Sequence, residues 1–221
     1  MSSVLIAVLD YGMGNRRSVQ KALEHVGAEV DLTAEHRRLR TADGLVVPGV
    51  GAFPRAMHRL REQGLDTVIR DLAAEGRPLL GICLGMQLLF ERSLELTPTE
   101  GLGLLPGEVT PLQAGGLRIP HIGWNEVRFE RDSGLRAELP SASRPFYHVH
   151  SLAVRPARSE DIAATTSYGE RFATIVERDN VFGVQFHPEK SSSDGLALLR
   201  GFLGICRSGI TANGHTAPLR A

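Results

Sequence analysis

The sequence predicts an α/β protein whose core is a mostly parallel, doubly wound sheet with added antiparallel hairpins. In the first half of the chain, short apolar runs alternate with helical patterns, which is typical of βαβ units and therefore of parallel strands. These early runs are continuously apolar, as expected for strands covered on both faces. After Ser93 the runs become short and alternate between apolar and polar residues, which favours antiparallel hairpins.

The elements of the parallel half follow from these runs and from the residues that interrupt them. Strands are expected at residues 4–9, 29–32, 45–47 and 79–82. Helices are expected from about 18 to 26, at 54–63, at 65–74 and at 84–90. Gly27 is expected to end the first helix, because glycine readily takes the left-handed conformation that follows a helix C-terminus.

The second half of the chain carries the antiparallel strands and the last helix. The strands are expected at residues 104–110, 125–129, 146–149, 172–177 and 181–185, and the helix at 194–203. Residues 1–205 are expected to form one domain, which is within the range of a single hydrophobic core. Residues 206–221 are polar and punctuated by Gly, Ala and Pro, so they are expected to form a poorly ordered tail.

Composition and charge argue against several classes of partner. Of 221 residues, 42% are hydrophobic, and 25 basic side chains balance 25 acidic ones to give a formal net charge of zero. We therefore expect no nucleic-acid partner and no membrane partner, and the apolar runs are too short to span a bilayer. The N-terminus resembles no signal peptide and the two cysteines form no disulfide pattern, so a cytoplasmic location is expected.

Cys83 is the strongest candidate for a catalytic residue. It lies between a predicted strand and a predicted helix, and it is flanked by Gly81 and Gly85. A strand-turn-helix with small neighbours is typical of a nucleophile elbow, which holds the reactive atom at the C-terminal edge of the sheet. Helix N–H groups beside the sulfur favour the nucleophilic thiolate. Cys206 has no such motif and is interpreted as an inert structural thiol.

A second segment supplies a base for this nucleophile. His187 follows the predicted strand 181–185, and Glu189 lies two residues further on, where it could orient the imidazole. Alone, a loop histidine and a surface glutamate would be ordinary features. Together with Cys83 they predict a Cys-His-Glu triad.

Backbone N–H groups at the same sheet edge are candidates for an oxyanion hole. Val50 and Gly51 lie in a Gly-rich turn that ends the third predicted strand, and Leu84 directly follows the nucleophile. Because ligands of open parallel sheets bind outside the carboxyl ends of the strands, we expect these donors to lie beside Cys83.

The motifs around these residues resemble those of the class I (triad) glutamine amidotransferases, over about residues 4–205. The resemblance rests first on residues 81–87 and 187–189. Residues 10–15, 48–53, 120–125, 148–151 and 189–191 are similar to segments of the glutaminase subunits of imidazole glycerol phosphate synthase. Members of that family hydrolyse glutamine and pass the ammonia to a separate barrel-shaped cyclase subunit in histidine biosynthesis.

The resemblance implies a role for each matching residue, and it implies no metal and no cofactor. Cys83 would attack the glutamine carboxamide, His187 would act as acid and base, and Glu189 would orient His187. The residues that would hold the amino-acid end of glutamine are Gln87, Glu95, His150 and Ser151. The residues that match positions near the face for the cyclase partner are Asn15, Trp124 and Lys190.

The resemblance also implies control by the partner. In this family, the segment matching residues 48–53 carries an oxyanion hole that is completed only when the partner binds its own ligand, so the Val50 peptide is expected to turn. Two positions depart from the family pattern: Arg16 stands where an apolar residue is common, and Leu152 where an aromatic residue is common.

Three other functions stay open at this point. The chain could be the glutaminase of another triad amidotransferase, serving anthranilate, aminodeoxychorismate or pyridoxal phosphate synthesis. It could be a catalytically idle regulatory subunit of the same fold, although Cys83, His187 and Glu189 are all present. A general cysteine protease is the third alternative, but the order Cys, His, Glu does not suit a papain-like arrangement.

Overall fold

The computed structural model describes residues 3–139 and 141–208. Its strands are β1 (Leu5–Leu9), β2 (Glu29–Thr33), β3 (Gly44–Gly49), β4 (Leu79–Cys83), β5 (Phe90–Ser93), β6 (Thr99–Glu100), β7 (Leu105–Pro111), β8 (His121–Phe129), β9 (Ser143–His150), β10 (Leu152–Pro156), β11 (Ile162–Tyr168), β12 (Glu170–Arg178) and β13 (Val181–Val184). Its α-helices are α1 (Arg16–His25), α2 (His36–Thr41), α3 (Phe53–Glu62), α4 (Leu65–Ala74), α5 (Leu84–Leu88) and α6 (Ser192–Ser208). Short 3-10 helices lie at Gly134–Arg136, Ser159–Asp161 and Pro188–Lys190.

The strands form one sheet with a parallel half and an antiparallel half. Strands β2, β1, β3, β4 and β13 lie side by side in that order and pair in parallel. Beyond β13 the sheet continues through β12, β10 and β7 with antiparallel pairing, and β11, β8 and β9 extend it further by antiparallel pairs. The predicted α/β class, a parallel sheet with antiparallel additions, is confirmed.

Helices cover both faces of the parallel half, because alternate residues of each strand point to opposite sides. Ala7 and Leu9 of β1 belong to a core cluster that includes side chains of α3 and α4. Ile6 and Val8 of the same strand belong to a second cluster with side chains of α1 and α6. This arrangement is the doubly wound architecture that the sequence predicts.

Several elements differ from the sequence-based expectation. The helix after Cys83 has five residues instead of seven, because Phe90 begins β5 and pairs with Leu105 of β7. Strands β5, β6, β10 and β11 were not predicted, because their apolar residues follow no clear period of two. Strand β13 pairs antiparallel with β12 but also parallel with β4, which places it inside the sheet.

The C-terminal helix extends beyond the predicted end of the domain. Helix α6 continues through Cys206 to Ser208, so the tail does not begin at residue 206 as expected. Apolar residues on α6 pack on the core up to Cys206, and the helix ends two residues further on, at Ser208. The rest of the predicted tail, residues 209–221, lies outside the described residues.

A buried acid in the antiparallel half gives a prediction about stability. Glu177 of β12 is 1% exposed and accepts hydrogen bonds from Ser133 and, at 3.3 Å, from Nη1 of Arg131. Burial disfavours the carboxylate and outweighs these partners, so the pKa of Glu177 is raised from 4.5 to about 7. Between those pH values the folded state binds more protons than the unfolded state, and the free energy of unfolding therefore falls as pH rises.

Glutamine at position 177 has no proton to lose in this pH range. The free energy of unfolding of Glu177→Gln should therefore increase relative to that of the parent as pH rises from 5 to 8. This relative increase in the free energy of unfolding should be at most about 3 kcal/mol, because a difference of one pKa unit corresponds to about 1.36 kcal/mol. Urea unfolding of both proteins at each pH measures it. Glu62→Gln, at an exposed position of α3, controls for the removal of one negative charge. Parallel stability curves for Glu177→Gln and the parent would contradict the prediction.

Candidate active site

A cavity of about 270 Å³ opens at the carboxyl edge of β3, β4 and β13. Most of the residues singled out in the sequence line it. Its lining consists of Val50, Gly51, Cys83, Leu84, Gln87, Glu95, Pro120, Val149, His150, Ser151, Leu152, His187 and Lys190. Three loops that are far apart in sequence meet here because each follows a strand of the parallel half.

Cys83 sits at a strained turn between β4 and α5. Its φ of 56° and ψ of −112° lie in a region that side-chain-bearing residues rarely adopt. The turn is possible because Gly85 has no side chain: a Cβ there would lie 1.8 Å from the carbonyl oxygen of Val47. The chain thereby brings the sulfur to the cavity wall, as a nucleophile elbow does.

Two polar groups lie near the Cys83 sulfur. Nε2 of Gln185 lies 3.8 Å from Sγ, and the carbonyl oxygen of Val149 lies 3.7 Å from it. Gln185 is fully buried, and its Oε1 accepts a hydrogen bond of 3.0 Å from Nε2 of Gln87. Sequence reasoning missed Gln185, although a polar residue inside the apolar strand segment 181–186 was an available signal.

His187 and Glu189 form a buried pair beside the nucleophile. Nδ1 of His187 lies 2.9 Å from Oε1 of Glu189, and their side chains are 4% and 1% exposed. Burial alone would lower the pKa of His187, but hydrogen bonding and charge at Cys83 and Glu189 outweigh it and raise the pKa to about 10. The imidazolium form of His187 is therefore favoured near neutral pH.

Asn15 and Ser191 form hydrogen bonds that hold the His187–Glu189 pair in place. Asn15 was expected near the partner face, yet its Nδ2 lies 3.3 Å from Oε1 of Glu189 and donates to it. Ser191 donates from its hydroxyl to the carbonyl of His187 at 2.7 Å and accepts from the backbone N–H of Tyr147 at 3.0 Å. Ser191 lay within a motif of the sequence, but no role was assigned to it there. Both contacts restrict the orientation of the imidazole.

The loop of Val50 and Gly51, which carries two of the three expected oxyanion donors, begins beside Cys83. Gly49, the residue before Val50, is the register partner of Cys83 between β3 and β4. The hydroxyl of buried Tyr11 donates to the carbonyl of Pro48 at 3.1 Å, and a Cβ on Gly49 would lie 2.8 Å from that hydroxyl. Val50 is 43% exposed. The loop is therefore pinned at its start and open to solvent at its centre.

The residues expected to bind the amino-acid end of glutamine lie on three sides of the cavity. Oε2 of Glu95 accepts the backbone N–H of Phe53 at 2.6 Å, which fixes a carboxylate at the cavity wall. Gln87 is nearly buried behind Cys83, and Ser151 is exposed at the opposite wall. Nδ1 of His150 lies 2.8 Å from the carbonyl of Leu152. The side chain of His150 therefore bonds to its own turn.

The remaining predicted site residues, Lys190 and Trp124, are exposed. Lys190 lines the cavity and is exposed. Trp124 is 54% exposed and contacts the ring of Tyr147 edge-on, with centroids 6.1 Å apart. Arg16, one of the two departures from the family pattern, forms an ion pair with Asp10 at 3.0 Å.

Residues 3–139 and 141–208 contain neither a metal-binding group of side chains nor a helix that could span a membrane. No group of three or more His, Cys, Asp or Glu side chains is arranged to hold a metal ion within these ranges. In the same part of the chain, no helix has both the length and the apolar character needed to cross a membrane.

Comparison with known proteins agrees with this geometry. The class-I glutamine amidotransferase family matches residues 7–206. A protein of Moorella thermoacetica named imidazole glycerol phosphate synthase subunit HisH is 50% identical over 202 residues, which covers 91% of this chain and 95% of that protein. A protein of Bacillus cereus with the same name is 48% identical over 201 residues, again with 91% and 95% coverage.

Solved structures support the fold. A crystal structure of a glutamine amidotransferase superposes with a TM-score of 0.73 at 22% identity and covers 91% of this chain and 98% of its own. The structure of PurLQS from Thermotoga maritima superposes with a TM-score of 0.72 at 20% identity, covering 92% and 99%. At these identities the likeness concerns the fold alone. With the family match and the close relatives, the chain belongs to the class-I glutamine amidotransferases and, among them, to the HisH subunits of imidazole glycerol phosphate synthase.

Proposed function

We propose that this chain hydrolyses glutamine through Cys83, His187 and Glu189 and supplies the ammonia to a cyclase subunit in histidine biosynthesis. The observation that carries the proposal is the position of Cys83, on a strained elbow at the wall of the cavity that His187 also lines. The names of the relatives support the choice of synthase over the other triad amidotransferases. Residues 1–208, instead of 1–205, are proposed as the single catalytic domain.

The reaction follows from the charges of the site. The Cys83 thiolate attacks the carboxamide carbon of glutamine, and the carbonyl oxygen takes up the negative charge in a tetrahedral intermediate. His187 gives its proton to the amide nitrogen, the C–N bond breaks, and ammonia leaves a thioester on Cys83. His187 then takes a proton from water, the hydroxide attacks the thioester, and glutamate departs as the sulfur regains its charge. Glu189 stabilises the imidazolium and fixes its orientation.

The oxyanion is the part of the reaction that we propose the partner controls. Donors at Val50, Gly51 and Leu84 would stabilise it, and each well-placed donor contributes about 3 kcal/mol to the transition state. Tyr11 pins the start of the loop, while the exposed Val50 leaves its centre within reach of a partner. Glutaminase rates measured with and without the cyclase and its ligand test this control. Equal rates would contradict it.

We propose that Glu95 binds the ammonium group of glutamine and that Ser151 and the turn at His150 bind its carboxylate, with Gln87 behind them. Opposite charge and the fixed position of the Glu95 carboxylate support the assignment. The cavity volume of about 270 Å³ is in keeping with a small amino-acid substrate.

Glu95→Gln should raise the KM for glutamine about tenfold or more, with kcat changed much less. The substitution keeps an oxygen that can accept the N–H of Phe53 but removes the charge opposite the ammonium group. That contact concerns a non-reacting part of the substrate. Steady-state glutaminase kinetics of the complex measure the effect. Glu91→Gln, at an exposed position of β5, is the matched control, and equal KM values for the two variants would contradict the assignment.

The surface around the cavity supports a partner that docks over its mouth. Large apolar side chains that stay exposed in the described residues are Val50, Leu94, Leu96, Leu117, Ile119, Ile122 and Trp124. They lie in segments that contain or adjoin the cavity-lining residues Val50, Glu95 and Pro120. We propose that the cyclase subunit covers this surface in a heterodimer, with Trp124, Lys190 and the loop of Asn15 at the interface.

We also propose that the protein works in the cytoplasm, because a reducing compartment suits its two free cysteines.

Co-purification with the cyclase subunit tests the proposal directly. We expect the two chains to elute together, and we expect the complex to release glutamate from glutamine. An electrophilic glutamine analogue should label Cys83 in the complex. Co-elution without labelling or hydrolysis would favour a catalytically idle regulatory subunit instead.

A further inference from the structure

A buried row of hydrogen-bonded side chains lies behind the wall of the cavity formed by His150 and Ser151. His121 is 2% exposed and is the register partner of His150 between β8 and β9. The ring of Tyr168 stacks on His121 with centroids 4.1 Å apart, and Phe172 contacts His150 edge-on at 5.2 Å. Packing thus fixes both imidazole rings, and the hydrolysis described above does not use His121.

The hydrogen bonds of His150 determine which of its nitrogens carries the hydrogen. Nδ1 lies 2.8 Å from the carbonyl oxygen of Leu152, and because a carbonyl only accepts, Nδ1 must donate. Burial lowers the pKa of His150 to about 4, so the ring is neutral near pH 7. Nε2 of His150 is therefore an acceptor.

His121 supplies the donor that this acceptor needs. Nδ1 of His121 lies 2.9 Å from Nε2 of His150 and must carry the hydrogen. Burial lowers the pKa of His121 as well, and its Nε2 accepts from Nδ2 of Asn125 at 3.3 Å. The amide of Asn125 is oriented independently, because Nδ2 also donates to the carbonyl of Ser167 at 2.9 Å and Oδ1 accepts the N–H of Glu126 at 2.8 Å. The row thus donates in one direction, from Asn125 through His121 and His150 to Leu152.

The last bond of the row shapes the turn that faces the cavity. The His150 ring spans the turn to the Leu152 carbonyl, and the Ser151 carbonyl is held by the N–H of Leu112 at 3.0 Å. With the hydrogen on Nε2 instead, Nδ1 of His150 would present a lone pair to the Leu152 carbonyl and repel it. The backbone of residues 150–152 therefore depends on the tautomer of His150.

We propose that His121 is a positioning residue for glutamine binding, because its hydrogen bond to Nε2 of His150 keeps the turn that presents Ser151 to the substrate carboxylate. The inference rests on the proposed function and deepens it. His121 does not line the cavity, so we infer that it acts on substrate binding through its hydrogen bond to His150.

Two substitutions with side chains of similar size distinguish the loss of the hydrogen-bond donor of His121 from the loss of its ring packing. His121→Asn places an amide nitrogen close to the position of Nδ1 and keeps a donor, whereas His121→Leu removes it. We expect His121→Leu to raise the KM for glutamine about tenfold, with kcat changed less than about threefold, since the turn binds a non-reacting part of the substrate. His121→Asn should stay within about threefold of the parent KM. Thermal unfolding of both variants checks that they are folded.

Nuclear magnetic resonance of 15N-histidine-labelled protein tests the tautomer without any substitution. His150 of the unsubstituted protein should carry its hydrogen on Nδ1 at pH 7.5. A hydrogen on Nε2 would overturn the inference whether or not the Leu variant folds, and equal KM values for folded Leu and Asn variants would overturn it as well. Failure of the proposed function is distinct, because the unsubstituted complex would then release no glutamate at all.

Discussion

Replacing Cys83 with alanine is expected to abolish glutamine-dependent synthesis by the complex while ammonia-dependent synthesis persists. The substitution removes the only sulfur at the cavity wall among the described residues, and with it the atom that would form the thioester. The loss of glutaminase kcat should be on the order of 10⁴-fold or more, because a triad without its nucleophile keeps only binding and oxyanion stabilisation. Glutamate release and product formation from ammonium salts measure the two activities.

Cys206→Ala is the matched control for this experiment. Cys206 is half-buried on α6, with its sulfur close to Gly44, and it packs against the core without lining the cavity. Its loss should lower stability slightly through a small void and leave glutamine use near the parent level. Glutamine use by Cys83→Ala at the parent level would refute Cys83 as the nucleophile.

Replacing Gly85 with alanine should have the second-largest effect, on stability and activity together. A Cβ at this position would lie 1.8 Å from the backbone carbonyl oxygen of Val47, which cannot rotate away as a side chain could. Either β3 or the elbow must shift, at a cost of about 3 kcal/mol or more. Because that shift displaces Cys83 and Leu84, we expect glutaminase activity to be lost even in molecules that remain folded.

Gly204→Ala shows what the same substitution does where space is available. Gly204 is exposed on α6, and nothing lies within 4 Å of a Cβ built there. Alanine favours the helix, so this variant should gain about 0.5–1 kcal/mol of stability and keep full activity. Urea unfolding and glutaminase assays of both variants decide the matter. Similar unfolding midpoints would contradict the close approach of Gly85 to Val47.

The local hydrophobic pattern was sufficient to predict most elements of the parallel half, although the short helix α2 was not predicted. The runs at 29–32 and 45–47 became β2 and β3, and helix α4 begins and ends where its pattern predicts, at Leu65 and Ala74. These elements are predictable because their apolar period is set by burial on one or both faces. Strand β11 was not predictable in this way: its sequence mixes Ala and Thr, and pairing with β8 and β12 makes it a strand.

For the candidate site, too, some features were predictable from the sequence and others were not. The sequence predicted that Cys83 and the turn at Val50 meet at one sheet edge, because each follows a predicted parallel strand. His187 joins them because β13, which was predicted as an antiparallel strand, also pairs in parallel with β4. The sequence led us to expect Asn15 near the partner face and did not predict that the Asn15 amide donates a hydrogen bond to Glu189. It assigned no role to Gln185, whose amide lies near the Cys83 sulfur only because β13 is inserted beside β4.

The sequence by itself determined the fold class and the family of this protein, and it singled out the residues that we propose as nucleophile and base. Those features reside in residue types and short spacings, which survive without knowledge of long-range contacts. Only the tertiary structure decided the protonation of His187, the tautomers of His121 and His150, and the need for glycine at position 85. Each of these depends on atoms brought close by segments far apart in the chain, since burial, hydrogen-bond direction and steric overlap are properties of the packed molecule and not of its local sequence.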